Sequence, residues 1–161
     1  MKKNNKGFTL IELMVVVAII GLLALLMTTQ YSRIQQKAHA TSVVDDIQTI
    51  RYAAMNYKDD HGEWPPDTWW GEIPEGLDPY LLDSFSFDRP DLPVKYSFDN
   101  YEEHPSWAAH YGTLVTISVN SPNEALLHSV NGLVSGMFEE KEGFFGWRRL
   151  IFNINTFDIS T

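Results

Sequence analysis

The sequence of 161 residues predicts an α+β fold, in which a long N-terminal helix packs against a small antiparallel β-sheet. Two observations support this class. No proline or glycine occurs between Leu22 and His61, so one helix can run through the first third of the chain without interruption. The remaining part, about a hundred residues, contains short segments in which apolar and polar residues alternate, which is the pattern of half-buried strands.

The first half of the predicted helix, residues 8–27, is apolar on all sides. Glu12 is its only charged residue. A helix of this length rises about 30 Å, the thickness of the hydrocarbon core of a bilayer. Three lysines and no acidic residue precede it, so the positive-inside rule predicts a single transmembrane pass with the N-terminus in the cytoplasm.

The second half, residues 28–61, is amphipathic. Its apolar residues recur at steps of three to five and form one stripe: Tyr31, Ile34, Ala38, Val43, Ile47, Ile50, Ala54 and Tyr57. We expect one continuous helix from about Thr9 to Asp60, with the rest of the protein covering its distal part. Gly62 offers the left-handed C-cap conformation, and Trp64-Pro65-Pro66 prevents continuation.

Residues 62–161 form the predicted globular head, which begins with an irregular connector. This connector, Glu63–Pro93, is rich in aromatic residues, and a short helix is expected near Leu77–Leu82. The Trp69-Trp70 pair could stack on sugars or on a partner, but packing against the long helix is the favoured interpretation.

Three strands and a short helix make up the rest of the head. The strands are expected at Val94–Phe98, Val115–Val119 and Arg148–Ile154. Ser121 is expected to cap the helix, with Pro122 at its first position and Glu124 at its third, and Asn131-Gly132 to end it. A turn rich in Gly and Glu would then lead to the last strand.

Composition limits the partners and the chemistry. The chain has 12 basic and 21 acidic residues, a net charge of -9, and the acidic residues concentrate in the head. This balance argues against nucleic acid as a partner, because phosphate neutralisation needs a basic surface. The absence of cysteine excludes a thiol nucleophile, a disulfide and a thiolate metal site.

No motif indicates an enzyme. The five histidines lack ligand spacing, and no nucleophile elbow, Walker A or dinucleotide-binding pattern occurs. The residues therefore give no catalytic site, and we expect a protein that is not an enzyme and needs no cofactor for chemistry.

Gly7 lies where the basic leader meets the apolar segment. It could be incidental in a signal anchor, and a signal-peptidase site at Ala38-His39-Ala40 is the alternative, although that site lies more than ten residues beyond the apolar core. Cleavage before the core, after Gly7, would instead leave the membrane helix on the mature protein. A small residue suits a protease cleft, so this cut gives the glycine a role.

Residues Gly7-Phe8-Thr9-Leu10-Ile11-Glu12-Leu13 resemble the N-terminal motif of the type IV pilin and type II secretion pseudopilin family. The likeness extends to about residue 62 and the exit from the helix. It implies the type IV pilin-like fold, cleavage after Gly7 by a membrane-embedded prepilin peptidase, and N-methylation of the new terminus at Phe8. It also implies that Glu12 is the assembly glutamate.

Glu12 has a physical reason to seek a partner. A carboxylate at membrane depth is costly unless it is paired or protonated. Cleavage would create an amine at Phe8, one helical turn away, and the amine of a neighbouring subunit would satisfy Glu12 equally well. The alternative is a glutamate at the helix end that snorkels to the membrane interface.

Two departures from the pilin pattern favour a major pseudopilin. Many pilins carry a proline where this chain has Thr28-Thr29, and many close a C-terminal loop with a disulfide.

Major pseudopilin heads often hold calcium, which is a possible cofactor here. The weak candidates are two acidic runs: Asp99, Asn100, Glu102 and Glu103, or Glu139, Glu140 and Glu142. Neither has the alternating spacing of a calcium loop, and an acidic surface is the favoured interpretation.

The resulting hypothesis divides the chain into leader 1–7, transmembrane and assembly segment 8–27, amphipathic segment 28–61 and head 62–161. The resemblance implies a single-pass protein of the bacterial inner membrane with a periplasmic head, which polymerises into a pseudopilus or pilus-like filament. Its implied partners are further copies, other pseudopilins, prepilin peptidase and an inner-membrane assembly platform with its ATPase. A minor pilin in DNA uptake or adhesion, and a monomeric membrane-anchored binding protein, are the alternatives.

Overall fold

The computed structural model describes residues 7–102, 115–134, 138–142 and 148–154, with the backbone alone for 28–29, 138–142 and 148. The chain divides into two compact units, residues 1–36 and 37–161. The elements in chain order are α1 (Leu10–His61), a 3-10 turn (Asp78–Tyr80), β1 (Asp88–Arg89), β2 (Val94–Asn100), β3 (Val115–Ser121), α2 (Glu124–Leu133), β4 (Phe138–Glu142) and β5 (Arg148–Asn153). This architecture confirms the predicted α+β class.

Helix α1 is continuous over 52 residues and confirms the predicted helix to within one residue at each end. It stops at Gly62, which adopts a φ of 80° and donates its N–H to the carbonyl of Lys58 at 2.7 Å. Trp64 then turns back and is buried, with the Lys58 ammonium 4.2 Å from its ring centroid. The predicted C-cap is therefore correct.

In the first unit, every described side chain of α1 is exposed. These side chains include Leu10, Ile11, Leu23 and Leu26, which a water-soluble helix would bury. Within the described residues, α1 is the one helix whose length and apolar composition would allow it to cross a membrane. An apolar helix without a cover needs lipid or another protein around it.

In the second unit, one face of α1 lies in the hydrophobic core. The buried residues of this face are Ala40, Val43, Ile47, Ile50, Ala53, Ala54 and Tyr57. The predicted stripe is thus confirmed from Val43 onward. Its first three members, Tyr31, Ile34 and Ala38, are exposed, because nothing in the described chain covers that part of the helix.

The described strands form one antiparallel sheet in the order β1-β2-β3-β5-β4. The three predicted strands are confirmed as β2, β3 and β5. Strand β1 was missed, and β4 replaces the turn that the Gly- and Glu-rich segment predicted. One sheet face is apolar, and its cross-strand rows Tyr96–Val119–Leu150 and Phe98–Ile117–Phe152 join the buried face of α1 in a single core.

Helix α2 lies against β3 and β5 and buries Leu126, Leu127 and Val130. Its start differs from the prediction. Asn123 is the N-cap, and its side chain accepts the N–H of Leu126 at 3.1 Å, whereas Ser121 still belongs to β3. The helix ends at Leu133, within one residue of the predicted end at Asn131-Gly132.

The connector 63–93 lies partly on the end of α1. The expected short helix is confirmed as the 3-10 turn Asp78–Tyr80. The Tyr80 hydroxyl donates to Asp60 at 2.7 Å, and the Tyr80 ring meets Tyr57 edge to face at 5.9 Å. Tyr57 in turn stacks on His61 at 4.1 Å.

A polar cluster also fixes the connector to α1. Asp46, on the helix, accepts the hydroxyl of Tyr96 at 2.8 Å and both of its oxygens accept Arg89 Nη1, at 2.7 and 2.9 Å. Burial raises the pKa of Asp46 above its ordinary value, against the hydrogen bond from Tyr96 and the charge of Arg89, which lower it. The cluster supplies the buried carboxylate with partners and so ties β1 and β2 to the helix.

Candidate functional site

The start of α1 holds the residues that the sequence singled out. Gly7, Phe8 and Thr9 precede the first helical residue, Leu10. Phe8 is 75% exposed, and a Cβ added to Gly7 would meet no atom of the described residues within 4 Å. The packing of the described chain therefore gives no reason for a glycine at position 7, and the bond between Gly7 and Phe8 lies outside regular structure.

Glu12 closes a capping box with Thr9. The backbone N–H and the hydroxyl of Thr9 donate to Glu12 Oε2 at 2.9 and 2.7 Å, and the Glu12 N–H donates to Thr9 Oγ1 at 3.3 Å. The box satisfies donors that the first turn of a helix leaves without partners, and it places a negative charge at the positive end of the helix dipole.

The capping box makes Thr9 part of the site, although Thr9 was not among the predicted site residues. The spacing Thr-x-x-Glu directly before an apolar run was the signal that could have revealed it. Its consequence is geometric: the carboxylate of Glu12 is held beside the backbone of Thr9, at the level where cleavage after Gly7 would leave a new terminus. The position of Glu12 is thus fixed by the local sequence.

The surroundings of Glu12 are apolar and open. Leu10, Ile11, Leu13 and Met14 are between 59% and 76% exposed. A carboxylate in such a surface is tolerated in water but becomes costly once lipid or a neighbouring apolar helix covers it, unless a cation is present. The arrangement can therefore bind a cationic group, and it does so most strongly where water is excluded.

The calcium candidates of the first acidic run do not converge in the described part of the chain. Asp99 Oδ2 accepts Arg149 Nη2 and Ser118 Oγ, each at 2.6 Å, and Thr116 Oγ1 at 3.1 Å. Among the described residues, no three His, Asp or Glu side chains gather as a metal site would require. Asp99 thus works as the acceptor of a polar network on the second face of the sheet.

The other calcium candidates divide into two sets. Asn100 accepts the N–H of Glu102 at 3.0 Å through its side-chain oxygen, and donates through its amide to the carbonyl of Pro65 at 3.1 Å. Glu103 lies outside the described residues. Glu139, Glu140 and Glu142 belong to β4, of which the backbone alone is described.

The Trp69-Trp70 pair does not pack on α1 as predicted. Trp69 is 78% exposed, and Trp70 is half-buried with the Arg149 guanidinium 5.3 Å from its ring centroid. The segment instead follows the edge of β2, where Thr68 N–H donates to the Phe98 carbonyl at 3.0 Å. The prediction was wrong because this sheet edge offered backbone partners that the sequence did not reveal.

Comparison with known proteins supports the motif at the start of α1. The family model described as "Prokaryotic N-terminal methylation motif" matches residues 2–28. A "Fimbrial protein" of Neisseria meningitidis serogroup B is 38% identical over 65 residues, which is 40% of this chain and 38% of that protein. A "Fimbrial protein" of Pseudomonas aeruginosa is 46% identical over 52 residues, 32% of this chain and 34% of its own length.

The "Type IV major pilin protein PilE" of Neisseria gonorrhoeae is 37% identical over 67 residues, 42% of this chain and 40% of that protein. The similar region thus spans between 34% and 40% of these three relatives. No solved structure matches the chain. The first part of the chain is therefore similar to type IV pilins, and the long N-terminal helix with a small antiparallel sheet fits the type IV pilin-like fold.

Proposed function

We propose that this protein is a structural subunit of a helical filament, most specifically a pseudopilus of a type II secretion system. The observation that carries the proposal is the match of residues 2–28 to the N-terminal methylation motif, and Glu12 is the one charged residue of the apolar segment 8–27. Polymerisation rather than catalysis is then the work of the chain.

Processing creates the group that Glu12 needs. Prepilin peptidase cleaves after Gly7 and methylates the amine of Phe8. Before assembly, α1 crosses the bacterial inner membrane once, with the leader in the cytoplasm and the head on the periplasmic side. Within the described residues, no packing contact explains the glycine at position 7, and this supports the cut.

Assembly pairs Glu12 of one subunit with the Phe8 amine of the next. The capping box already holds the Glu12 carboxylate at a defined height, so the pair fixes the axial step between subunits. A head-to-tail contact that does not close produces a helical filament. The exposed apolar side chains of residues 8–27 are then covered by other subunits instead of lipid.

A type IV pilus subunit is the second candidate, because three relatives of the N-terminal part are named fimbrial or type IV pilin proteins. The lack of cysteine and the Thr28-Thr29 sequence favour the pseudopilus. In either system the partners are further copies, prepilin peptidase and an inner-membrane platform, and in a secretion system they include other pseudopilins. The net charge of -9 argues against nucleic acid as a partner.

Two variants separate the charge of Glu12 from its capping role. Glu12→Gln keeps a side chain that can close a capping box but removes the charge, whereas Thr9→Ala removes the cap and keeps the charge. We expect Glu12→Gln and Glu12→Val to insert into the membrane and to be absent from filaments. Thr9→Ala, which loses about 1 kcal/mol at the helix start, should still be incorporated.

The assay is electron microscopy of sheared filaments, with immunoblots of the membrane and filament fractions for each variant. Filaments of normal length and number from Glu12→Gln would contradict the proposed ion pair. If Thr9→Ala failed while Glu12→Gln succeeded, capping rather than charge would be the function of Glu12.

A further inference from the structure

Trp69 is presented to solvent on a fixed turn of the head. Its carbonyl accepts the N–H of Glu72 at 3.1 Å, which closes the turn. On either side of Trp69, the N–H of Thr68 and of Gly71 donate to backbone carbonyls of β2 at 3.0 and 2.8 Å. The indole is nevertheless 78% exposed, which is unusual for the largest apolar side chain. A rigid turn that exposes a tryptophan suits contact with a partner.

The other two described tryptophans each carry a cation over the ring. Lys58 Nζ lies 4.2 Å from the ring centroid of Trp64, and the guanidinium of Arg149 lies 5.3 Å from that of Trp70. The negative face of an indole ring attracts such groups, and tryptophan is the best aromatic residue for this contact. Among the residues that the structure describes, no cation lies over Trp69.

Two cations of the described chain are without a described partner. They are Arg33 and Lys37, both exposed and one helical turn apart on the same side of α1. The other cations with described side chains all have partners: Arg51 with Gln48, Lys58 with Trp64, Arg89 with Asp46, Lys95 with Asp88, and Arg149 with Asp99.

The turn of Trp69 and the Arg33–Lys37 pair have surroundings of opposite charge. The turn of Trp69 is flanked by two exposed acidic residues, Asp67 and Glu72, whereas Arg33 and Lys37 lie in a stretch, residues 28–44, that has no acidic residue. Arg33 and Lys37 also lie within ten residues of the end of the apolar segment on its exported side, where the positive-inside rule does not favour them. Cations at this place need a function that outweighs that disadvantage.

We propose that the Trp69 turn of one subunit binds the Arg33–Lys37 pair of a neighbouring copy of this chain. The inference rests on the proposed function, because a filament supplies the second copy. Each subunit would present its cations to one neighbour and its Trp69 to another, which is the head-to-tail arrangement that a filament requires. Membrane phosphates are the competing partner of Arg33 and Lys37, and the experiment below distinguishes the two.

The test uses the lack of cysteine in this sequence. Subunits carrying Lys37→Cys and subunits carrying Glu72→Cys, with different tags, are co-expressed, and sheared filaments are treated with a short bismaleimide linker. We expect a cross-linked dimer that contains both tags. The matched control replaces Glu72→Cys with Leu133→Cys, an exposed position on α2, and should give little product.

A second arm tests the ring and the charge. Adding Trp69→Ala to the Glu72→Cys subunit should lower the dimer yield about two- to fivefold, and Trp69→Tyr should retain most of it. Lys37→Glu and Glu72→Lys should each reduce the number of filaments, and the two together should restore it. Because Trp69 and Glu72 are exposed, thermal melting of these variants should match that of the wild type.

Filaments that form normally but give no mixed dimer would overturn this inference and leave the proposed function intact. An absence of filaments from the wild-type chain would overturn both. If Lys37→Glu impaired membrane insertion while Trp69→Ala and Glu72→Lys left filaments unchanged, the cations would belong to the membrane surface. If Trp69→Ala abolished secretion without altering filaments, Trp69 would bind a different protein.

Discussion

Asp99→Ala is the sharpest test of how the head is stabilised. Asp99 was a calcium candidate in the sequence, yet its Oδ2 accepts three hydrogen bonds, from Arg149, Ser118 and Thr116. Thr116 and Ser118 are fully buried, and the side chains of Asp99 and Arg149 are 20% and 21% exposed. The substitution therefore removes the acceptor shared by a guanidinium and two hydroxyl groups.

The expected cost follows from these contacts. Breaking a fully buried ion pair by removing one partner costs about 3–5 kcal/mol, and this pair is one-fifth exposed. Arg149 also keeps its bonds to Ser118 at 2.6 and 2.9 Å, which limits the loss. We expect a decrease of about 3 kcal/mol in the free energy of unfolding, or about 12 °C in the melting temperature of the fragment from Thr28 onward.

Urea unfolding of the soluble fragment from Thr28 onward measures this change. Asp91→Ala is the matched control, because Asp91 also pairs with an arginine, Arg89 at 3.0 Å, but its side chain is 61% exposed, so we expect no measurable loss. Each curve is recorded with a chelator and with added calcium. A loss below about 0.5 kcal/mol for Asp99→Ala would refute the network argument. A calcium-induced rise in melting temperature that Asp99→Ala abolishes would make Asp99 a metal ligand.

Two further variants test the packing of the connector 63–93 and the polar cluster around Asp46. Gly76→Ala should destabilise the head by about 2 kcal/mol, because Gly76 has a φ of 80° and an added Cβ would lie 3.0 Å from the Tyr57 ring. The control Gly132→Ala should not destabilise the head, because an added Cβ in α2 would meet no atom of the described residues within 4 Å. Equal melting temperatures for the two variants would contradict this expectation. Burial raises the pKa of Asp46, so the stabilisation linked to its protonation is complete below the ordinary Asp pKa and is lost as the pH rises through the raised value. Thermal melts over that pH range should therefore show the wild type losing stability relative to Asp46→Asn. A gain in stability relative to Asp46→Asn would contradict the raised pKa.

The long helix was predictable because several independent signals agreed. The apolar run, the stripe from Val43 to Tyr57, and Gly62 with the prolines after it all predicted one helix, and α1 has those bounds. The strands β2, β3 and β5 were predictable from alternation. Even in β3, however, Thr116 and Ser118 are fully buried, because Asp99 and Arg149 give their hydroxyls partners on the second face. Alternation identified the strand but not the polar network.

Other features depend on contacts that no local pattern records. Four of the five residues of strand β4 are charged, which is typical of a solvated loop. The segment nevertheless pairs with β5 at the edge of the sheet, where charged residues are common. Strand β1 has two residues, too few for a period to be recognised. At the candidate site the sequence identified Glu12, and it also contained the Thr9 capping box. The exposure of Trp69, by contrast, follows from the sheet edge on which its turn lies.

Intact-mass and N-terminal analysis of subunits from sheared filaments is the most direct test of whether Glu12 pairs with a new amine at Phe8. We expect one mature chain that begins at Phe8 and carries a methyl group on its terminal amine, since only that cut keeps α1 on the protein and creates the cation for Glu12. A filament subunit beginning at Met1 would show that no amine is generated beside Glu12. A chain beginning at Thr41 would show that the apolar helix is a cleaved signal, and either result would contradict assembly through an ion pair between Glu12 and the Phe8 amine.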